Sequence, residues 1–171
     1  MKIATLLTAP LAALVLSTTV SISDALAKVN KDTVTLGAHV GNWNGKPLGT
    51  LPIVADSTTL LADIKKGTKA AKATRETLTT TEALNVAAST MELATNVNTT
   101  LTNIIAAKRK FDKLALSPVI LLNLKLQQQA TAEMSEQIIA KVPTGLQAVA
   151  EILVKPIEEG FVKAIDVYDL F

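Results

Sequence analysis

The stretch of residues 82–114 contains neither Pro nor Gly, and it constrains the fold more than any other part of the sequence. An α-helix turns by about 100° per residue, so the main apolar residues of this stretch fall within one third of the helical circumference. These residues are Val86, Leu93, Ala94, Val97, Leu101, Ile104, Ile105 and Phe111. The stretch is therefore predicted to be one long amphipathic helix that buries its apolar side against other helices.

The composition favours an all-α protein with an aliphatic core. Apolar residues make up 49% of the 171 residues but aromatic residues only 3%, so the core must consist of Leu, Ile, Val and Ala. Frequent Ala, Leu and Lys, with few Pro and Gly, favour helix. The net charge of +2 does not indicate a nucleic-acid partner. The absence of Cys excludes disulfides, thiolate metal sites and a Cys nucleophile.

Further segments with helical periodicity lie on both sides of this stretch. The predicted helices cover residues 53–73, 118–142 and 144–168. Thr80 or Thr81 is predicted to cap the long helix, and Ser117 to cap the next one, with Pro118 at its first position. Pro156 should kink or divide the last helix. The fold class is therefore predicted to be all-α, a bundle of about five helices.

The assignment of residues 32–43 stays open between helix and strand. Val29, Leu36, Val40 and Trp43 have helical spacing, and Asp32 is the candidate N-cap. Against a helix stand two glycines and the short run Val34-Thr35-Leu36, which is equally compatible with a strand. Residues 46–52, rich in Pro and Gly, are predicted to form a loop.

The N-terminus has the pattern of a secretory signal peptide. Lys2 precedes an apolar run, and Ala25-Leu26-Ala27 supplies a small-x-small cleavage site. Residues 1–27 are predicted to be the signal peptide, and residues 28–171 a single helical-bundle domain. The alternative, a membrane anchor, is less favoured because the apolar run is shorter than the roughly 20 residues that span a bilayer. The mature protein is predicted to be extracellular, without a membrane span after cleavage, and possible association with the cell wall stays open.

The sequence offers little catalytic chemistry. His39 is the only histidine, and a lone His is far more often a surface or packing residue than a catalytic one. No phosphate-binding loop, zinc-protease motif, dinucleotide fingerprint or nucleophile elbow is present. We therefore predict no catalytic residues, no metal site and no cofactor, which means that the protein is not expected to be an enzyme.

The apolar stripes of the predicted helices contain small and hydroxyl residues, which leaves two interpretations of the interior. A solid core is favoured by periodicity alone. The other is an elongated apolar cavity with polar groups near one end. Such a cavity would suit a fatty acid, since each buried methylene contributes about 0.8 kcal/mol. Candidate lining residues are Leu60, Ile64, Val97, Leu101, Ile104, Leu121, Leu124, Val149, Leu153, Ile157 and Phe161, and candidate headgroup contacts are Ser57, Gln128 and Ser135.

One N-glycosylation sequon is present, at Asn98-Thr99-Thr100. A signal peptide would deliver the chain to the glycosylation machinery. Asn98 lies at the edge of the apolar side of the long helix, so glycosylation requires this edge to be open to solvent. Asn98 is therefore a candidate glycosylation site.

Several local patterns resemble a known family. They are Lys108-Arg109-Lys110-Phe111, Lys141-Val142-Pro143 and the C-terminal spacing Pro156-Ile157-x-x-Gly160-Phe161-x-x-Ala164-Ile165-x-x-Tyr168. With the signal-peptide pattern and the Cys-free, Thr-rich chain, they resemble the fungal hydrophobic-surface-binding protein A and cell-wall galactomannoprotein family over most of residues 28–171.

The resemblance implies an all-helical bundle without catalytic residues. It implies one of two activities: sequestration of long-chain fatty acids in a cavity, or adsorption to hydrophobic surfaces with recruitment of secreted hydrolases. We predict a secreted, non-enzymatic protein that binds a fatty acid or other apolar small molecule. The alternatives are a surface-adsorbing protein whose helices open, and a structural or effector interaction module of the cell wall.

Overall fold

The computed structural model of the protein describes residues 21–169. Most of the predicted signal peptide, residues 1–20, lies outside the described residues. The described elements are α1 (Ile22–Asn42), a short 3-10 helix (Pro47–Gly49), α2 (Thr50–Ala73), α3 (Thr80–Ala106), α4 (Lys108–Lys113), α5 (Ser117–Ile139) and α6 (Thr144–Tyr168). The all-α prediction is confirmed, since this part of the chain contains no strand.

The five long helices form a closed ring. Around the ring, α1 packs on α3, α3 on α6, α6 on α5, α5 on α2, and α2 back on α1. If neighbouring helix axes lie about 10 Å apart, the axes of five helices lie roughly 8.5 Å from the centre of the ring, against about 7 Å for four helices. The interior of this ring therefore needs large side chains if it is to pack solidly.

Interhelical contacts give the direction of each helix. Thr100 in α3 donates to the carbonyl of Thr33 in α1 at 2.9 Å, and Asn103 donates to the carbonyl of Gly37 at 3.0 Å. Partners therefore advance together, so α1 and α3 are parallel, and α6 runs the same way beside α3. Helices α2 and α5 run in the opposite direction. We call the end where α1, α3 and α6 begin the aliphatic end, and the end where they finish the aromatic end.

Residues 32–43, left open between helix and strand, belong to α1. The helix begins earlier than expected, because Ser21 rather than Asp32 is its N-cap and accepts a hydrogen bond from the Asp24 N–H at 3.0 Å. The glycine that weakened the helical prediction has a packing role. A Cβ on Gly37 would lie only 2.4 Å from Oγ1 of Thr100, so glycine permits the close approach of α1 and α3.

The prediction of one helix over residues 82–114 is wrong at its C-terminal end. Helix α3 stops at Ala106, and α4 begins at Lys108 after a break at Ala107. The break turns Phe111 into the core, where its ring lies 4.6 Å from that of Trp43. No Pro or Gly lies at the break, so no local helix breaker marks it in the sequence.

Three details of the helix ends also differ from expectation. Thr79 caps α3 in a reciprocal capping box with Glu82, one residue before the predicted Thr80. Ser117 is the first residue of α5 rather than its cap, because its hydroxyl donates to Asp112 instead. Pro156 does not divide α6, which runs through it with the proline ring on the exposed side.

A charged cluster joins α1 to α2 outside the apolar interior. The Lys28 ammonium lies 2.7 Å from the carboxylate of Asp63 and 2.6 Å from that of Asp32, and Lys66 contacts Asp63 from the other side at 2.5 Å. The two ammonium groups hold the pKa of the buried Asp63 well below its usual range. The cluster fixes the register of these two antiparallel helices.

Candidate functional site

An apolar cavity lies at the aliphatic end of the ring, between α3, α5 and α6. The space inside it amounts to about 810 Å³, part of which is open to solvent. Of this space, about 90 Å³ is accessible to the centre of a water molecule. One bound water needs roughly 10–15 Å³ on the same measure, so the cavity could hold several waters or part of a larger ligand. The walls are Leu26, Val29, Ile64, Ala83, Leu84, Val86, Ala87, Thr90, Leu93, Thr131, Met134, Ser135, Ile138, Ile139, Val142, Leu146, Val149, Ala150, Leu153, Val154 and Ile157.

The rim of the cavity is apolar and reaches the surface. Leu84 on α3 is 60% exposed and Val149 on α6 is 52% exposed, yet both also line the cavity. The chain thus leaves large apolar side chains in water at this mouth instead of covering them, although burying one would contribute about 1.5–3 kcal/mol. Such a rim is typical of a site that receives an apolar ligand.

A second opening continues from the cavity through the groove between α5 and α6. It is lined by Gln128, Gln129, Thr131, Ala132, Ser135, Val154, Ile157, Glu158, Phe161 and Val162. Thr131 and Ser135 belong to both spaces, so their hydroxyls lie where the apolar interior meets the polar groove. No hydrogen bond joins either hydroxyl to another described residue, whereas Thr90 on the facing wall donates to the carbonyl of Val86 at 2.8 Å.

The ring axis beyond the cavity is narrower. A small gap, of about 30 Å³ for the centre of a water-sized sphere, is surrounded by side chains from all five long helices. Nearer the aromatic end, the Gln127 side-chain amide donates to the Ser57 hydroxyl at 2.9 Å in the buried interior. This polar pair joins the neighbouring helices α5 and α2 in the interior.

The residues predicted to line a lipid site divide between these spaces. The main cavity contains Ile64, Val149, Leu153 and Ile157, the narrow axis contains Leu60, Val97, Leu101, Ile104 and Phe161, and Leu124 lies deeper beside Ser57. Leu121 is half-buried and lines none of these described spaces. Among the headgroup candidates, Ser135 and Gln128 lie at the groove, whereas Ser57 is already bonded to Gln127.

Much of the cavity wall was absent from the predicted set. Leu26 was missed because it falls within the predicted signal peptide, and Val29 because the segment it belongs to was open between helix and strand. Leu84 lies away from the main apolar stripe of α3, so periodicity assigned it to the surface. Met134 and Ile138 do follow the stripe of α5, and that spacing was a sufficient signal to include them.

Asn98, the candidate glycosylation site, is half-buried at the contact between α3 and α6. Its Oδ1 is so close to Gly160 that a Cβ there would lie 2.3 Å away. A glycan on Asn98 would have to leave this contact through the amide nitrogen. Glycosylation of Asn98 stays a prediction, and the intact mass of the secreted protein tests it.

The described residues were compared with the requirements of a membrane-spanning helix and of a metal-binding cluster, and they meet neither. Residues 21–169 include no helix that is both long and apolar enough to cross a membrane. The same part of the chain holds no cluster of three or more His, Cys, Asp or Glu side chains able to bind a metal ion.

The described helices form a ring of five around an open aliphatic cavity, and comparison with known proteins identifies the family to which the chain belongs. The chain belongs to the hydrophobic surface binding protein A family, whose pattern matches residues 19–140. Cell wall mannoprotein 1 of Aspergillus flavus is 27% identical over 148 residues, which are 86% of this chain. The chain spans only 53% of that relative's length.

Solved structures share the fold. The crystal structure of AFMP4P in complex with palmitic acid has a TM-score of 0.82 at 25% identity, covering 86% of this chain and 97% of that one. Ligand binding domain 2 of the Penicillium marneffei MP1 protein, complexed with multiple arachidonic acids, has a TM-score of 0.80 at 20% identity, covering 86% and 93%. The latter likeness concerns the fold alone. None of these relatives is described as an enzyme.

Proposed function

We propose that the protein is a secreted, non-enzymatic carrier that binds a long-chain fatty acid or similar lipid in the interior of its helical ring. The observation that carries this proposal is the apolar cavity at the aliphatic end, with Leu84 and Val149 exposed at its mouth. The palmitic acid in AFMP4P, a relative with the same fold, supports the same class of ligand.

The physical basis of binding is the transfer of an acyl chain out of water. Each methylene buried against this wall contributes about 0.8 kcal/mol, so ten buried methylenes give about 8 kcal/mol before the entropic cost of association. The polar end of the lipid would lie at the groove, where the unpartnered hydroxyls of Thr131 and Ser135 and the Gln128 amide are available. The ligand therefore has its tail in the cavity and its head between α5 and α6.

A pair of adjacent alanines on α3 tests this function. Ala87 is half-buried and lines the cavity, whereas its neighbour Ala88 is exposed and does not. Ala87→Trp should fill the cavity and lower the affinity for a fluorescent fatty acid at least tenfold, while Ala88→Trp should leave it unchanged. Native mass spectrometry of delipidated, reloaded protein gives the stoichiometry. Saturable binding that Ala87→Trp does not alter would contradict the proposed cavity.

Adsorption to hydrophobic surfaces is a second candidate function, and the outer face of the ring favours it. Leu48, in the 3-10 helix before α2, is 80% exposed, and Leu51 and Leu122 are also largely exposed. These side chains would contact a hydrophobic solid without opening of the helices. The double variant Leu51→Glu and Leu122→Glu should then reduce adsorption to polystyrene, whereas Ala87→Trp should not. A cell-wall interaction module predicts neither lipid binding nor adsorption.

A further inference from the structure

The groove between α5 and α6 has an unusual charge for a fatty-acid site. Of the residues that line it, Glu158 is the one charged side chain in the described structure. The other polar groups there are neutral: the amides of Gln128 and Gln129 and the hydroxyls of Thr131 and Ser135. An ionised carboxylate placed in this groove would therefore meet a second negative charge and no positive one.

The basic side chains of α5 and α6, including Lys163, do not line this groove. Lys125, one turn before the glutamines on α5, lies 3.4 Å from the carboxylate of Asp169. Lys155 on α6 lines neither the cavity nor the groove. The walls of the main cavity also include no Lys or Arg. A lipid carboxylate would have to lose water without gaining an ion pair, which disfavours its charged form.

The same groups match an uncharged, hydroxyl-bearing headgroup. A hydroxyl both donates and accepts, so it can donate to the Glu158 carboxylate and accept from the Gln128 amide or the Thr131 hydroxyl. A carboxylate only accepts and is repelled by Glu158. We infer that this groove selects lipids with a neutral hydroxyl headgroup, such as a monoacylglycerol or a fatty alcohol, over ionised fatty acids. The inference rests on the proposed function, because it requires the acyl chain to occupy the cavity.

Matched ligands and matched variants test the inference. Palmitate, monopalmitoylglycerol and hexadecanol, which carry acyl or alkyl chains of equal length, are titrated into the delipidated protein at neutral pH. Glu158→Gln removes the charge from the groove. Glu159→Gln removes an equal charge from the adjacent position, which points about 100° away on the helix and does not line the groove.

The wild-type protein should bind monopalmitoylglycerol and hexadecanol several-fold more tightly than palmitate. Because Glu158 is exposed and its charge is screened, Glu158→Gln should strengthen palmitate binding by only about threefold to fivefold. The same variant should not strengthen binding of the two neutral lipids. Glu159→Gln should leave all three affinities unchanged.

The results separate failure of the inference from failure of the proposed function. Equal affinities for palmitate and the neutral lipids, with no effect of Glu158→Gln, would overturn the inference and leave the lipid carrier intact. An identical gain in Glu158→Gln and Glu159→Gln would also overturn it, because the effect would then come from overall charge. Absence of saturable binding for all three lipids would instead refute the carrier function itself.

Discussion

The interior of the helical ring is filled by different kinds of side chain at its two ends. At the aromatic end, Trp43, Phe111 and Tyr168 are all buried, and the tyrosine hydroxyl donates to the carbonyl of Ile104 at 2.7 Å. The Trp43 indole donates to the carbonyl of Lys46 at 2.8 Å. At the aliphatic end no aromatic side chain lines the main cavity. The same five helices thus close at one end and stay open at the other.

The difference shows that side-chain size, rather than helix arrangement, creates the cavity. A five-helix ring leaves a wide axis along its whole length, and aromatic side chains, each able to bury about 150–250 Å², fill it at one end. Burial raises the pKa of the Tyr168 hydroxyl, as expected for a group sealed from water. Leu, Val and Ala leave space at the other end, which is where we propose that lipid binds.

The largest expected change in stability comes from removing the first turns of α1, which form part of the cavity wall at the aliphatic end. Ile22, Ala25 and Leu26 are buried, and Leu26 lines the cavity. A chain that begins at Lys28, as the predicted cleavage after Ala27 would produce, should be less stable than one that begins at Ser21 by about 4–6 kcal/mol. Urea denaturation of both chains measures this difference.

The N-terminal sequence of the secreted protein provides the corresponding observation in the cell. Given the burial of Ile22 and Leu26, we expect cleavage at a site upstream of Ser21 rather than after Ala27. Equal stability of the two chains would show that the first turns of α1 contribute nothing to the stability of the fold. Cleavage after Ala27 would then remain the expected processing site.

A pair of substitutions compares the two ends directly. Phe111 is fully buried beside the Trp43 ring, so Phe111→Ala should lower the free energy of unfolding by about 3–5 kcal/mol. Leu153 is half-buried beside the cavity, and Leu153→Ala should cost less than about 1.5 kcal/mol while weakening lipid binding. Thermal melts beside ligand titrations measure both quantities. Similar losses of stability would mean that the aliphatic end is as tightly packed as the aromatic one.

The smallest expected changes in stability come from alanine substitutions of two glycines in α6. A Cβ on Gly160 would approach Oδ1 of Asn98 to 2.3 Å, whereas a Cβ on Gly145, at the aliphatic end, would meet nothing within 4 Å. Gly160→Ala should therefore destabilise the protein by about 1–3 kcal/mol. Gly145→Ala should be neutral or stabilising by up to about 1 kcal/mol.

A second substitution identifies the cause of the Gly160 effect. If the contact with Asn98 is responsible, adding Asn98→Ala to Gly160→Ala should restore part of the lost stability. No recovery in the double variant would indicate that the alanine instead meets Leu101, whose Cδ1 lies 3.1 Å from the same position.

Periodicity predicted the helices well because it reports which side of a helix is buried. The stripe through Val97, Leu101 and Ile104 does face the ring axis. It did not predict the break at Ala107, where the sequence has no Pro or Gly, nor the contact of Phe111 with Trp43, two residues far apart in the sequence. Local propensity contains no information about such a contact.

The candidate site was harder to predict than the fold. A solid core and a cavity wall have the same apolar stripe, so periodicity favoured the solid core and could not locate a space. The mouth depends on Leu84, an exposed leucine that sequence patterns treat as ordinary surface. Its contribution becomes visible only when α6 is placed beside α3.

The order of the helices along the chain determines when the ring can close during synthesis. Helix α6 is the last of the described elements, and it packs between α3 and α5, which precede it in the chain. Until α6 emerges, the aliphatic faces of α3 and α5 have no partner and are open to water or to other chains. A nascent chain therefore exposes the proposed lipid site before α6 covers it, and aggregation should be most frequent in chains that stall before Thr144.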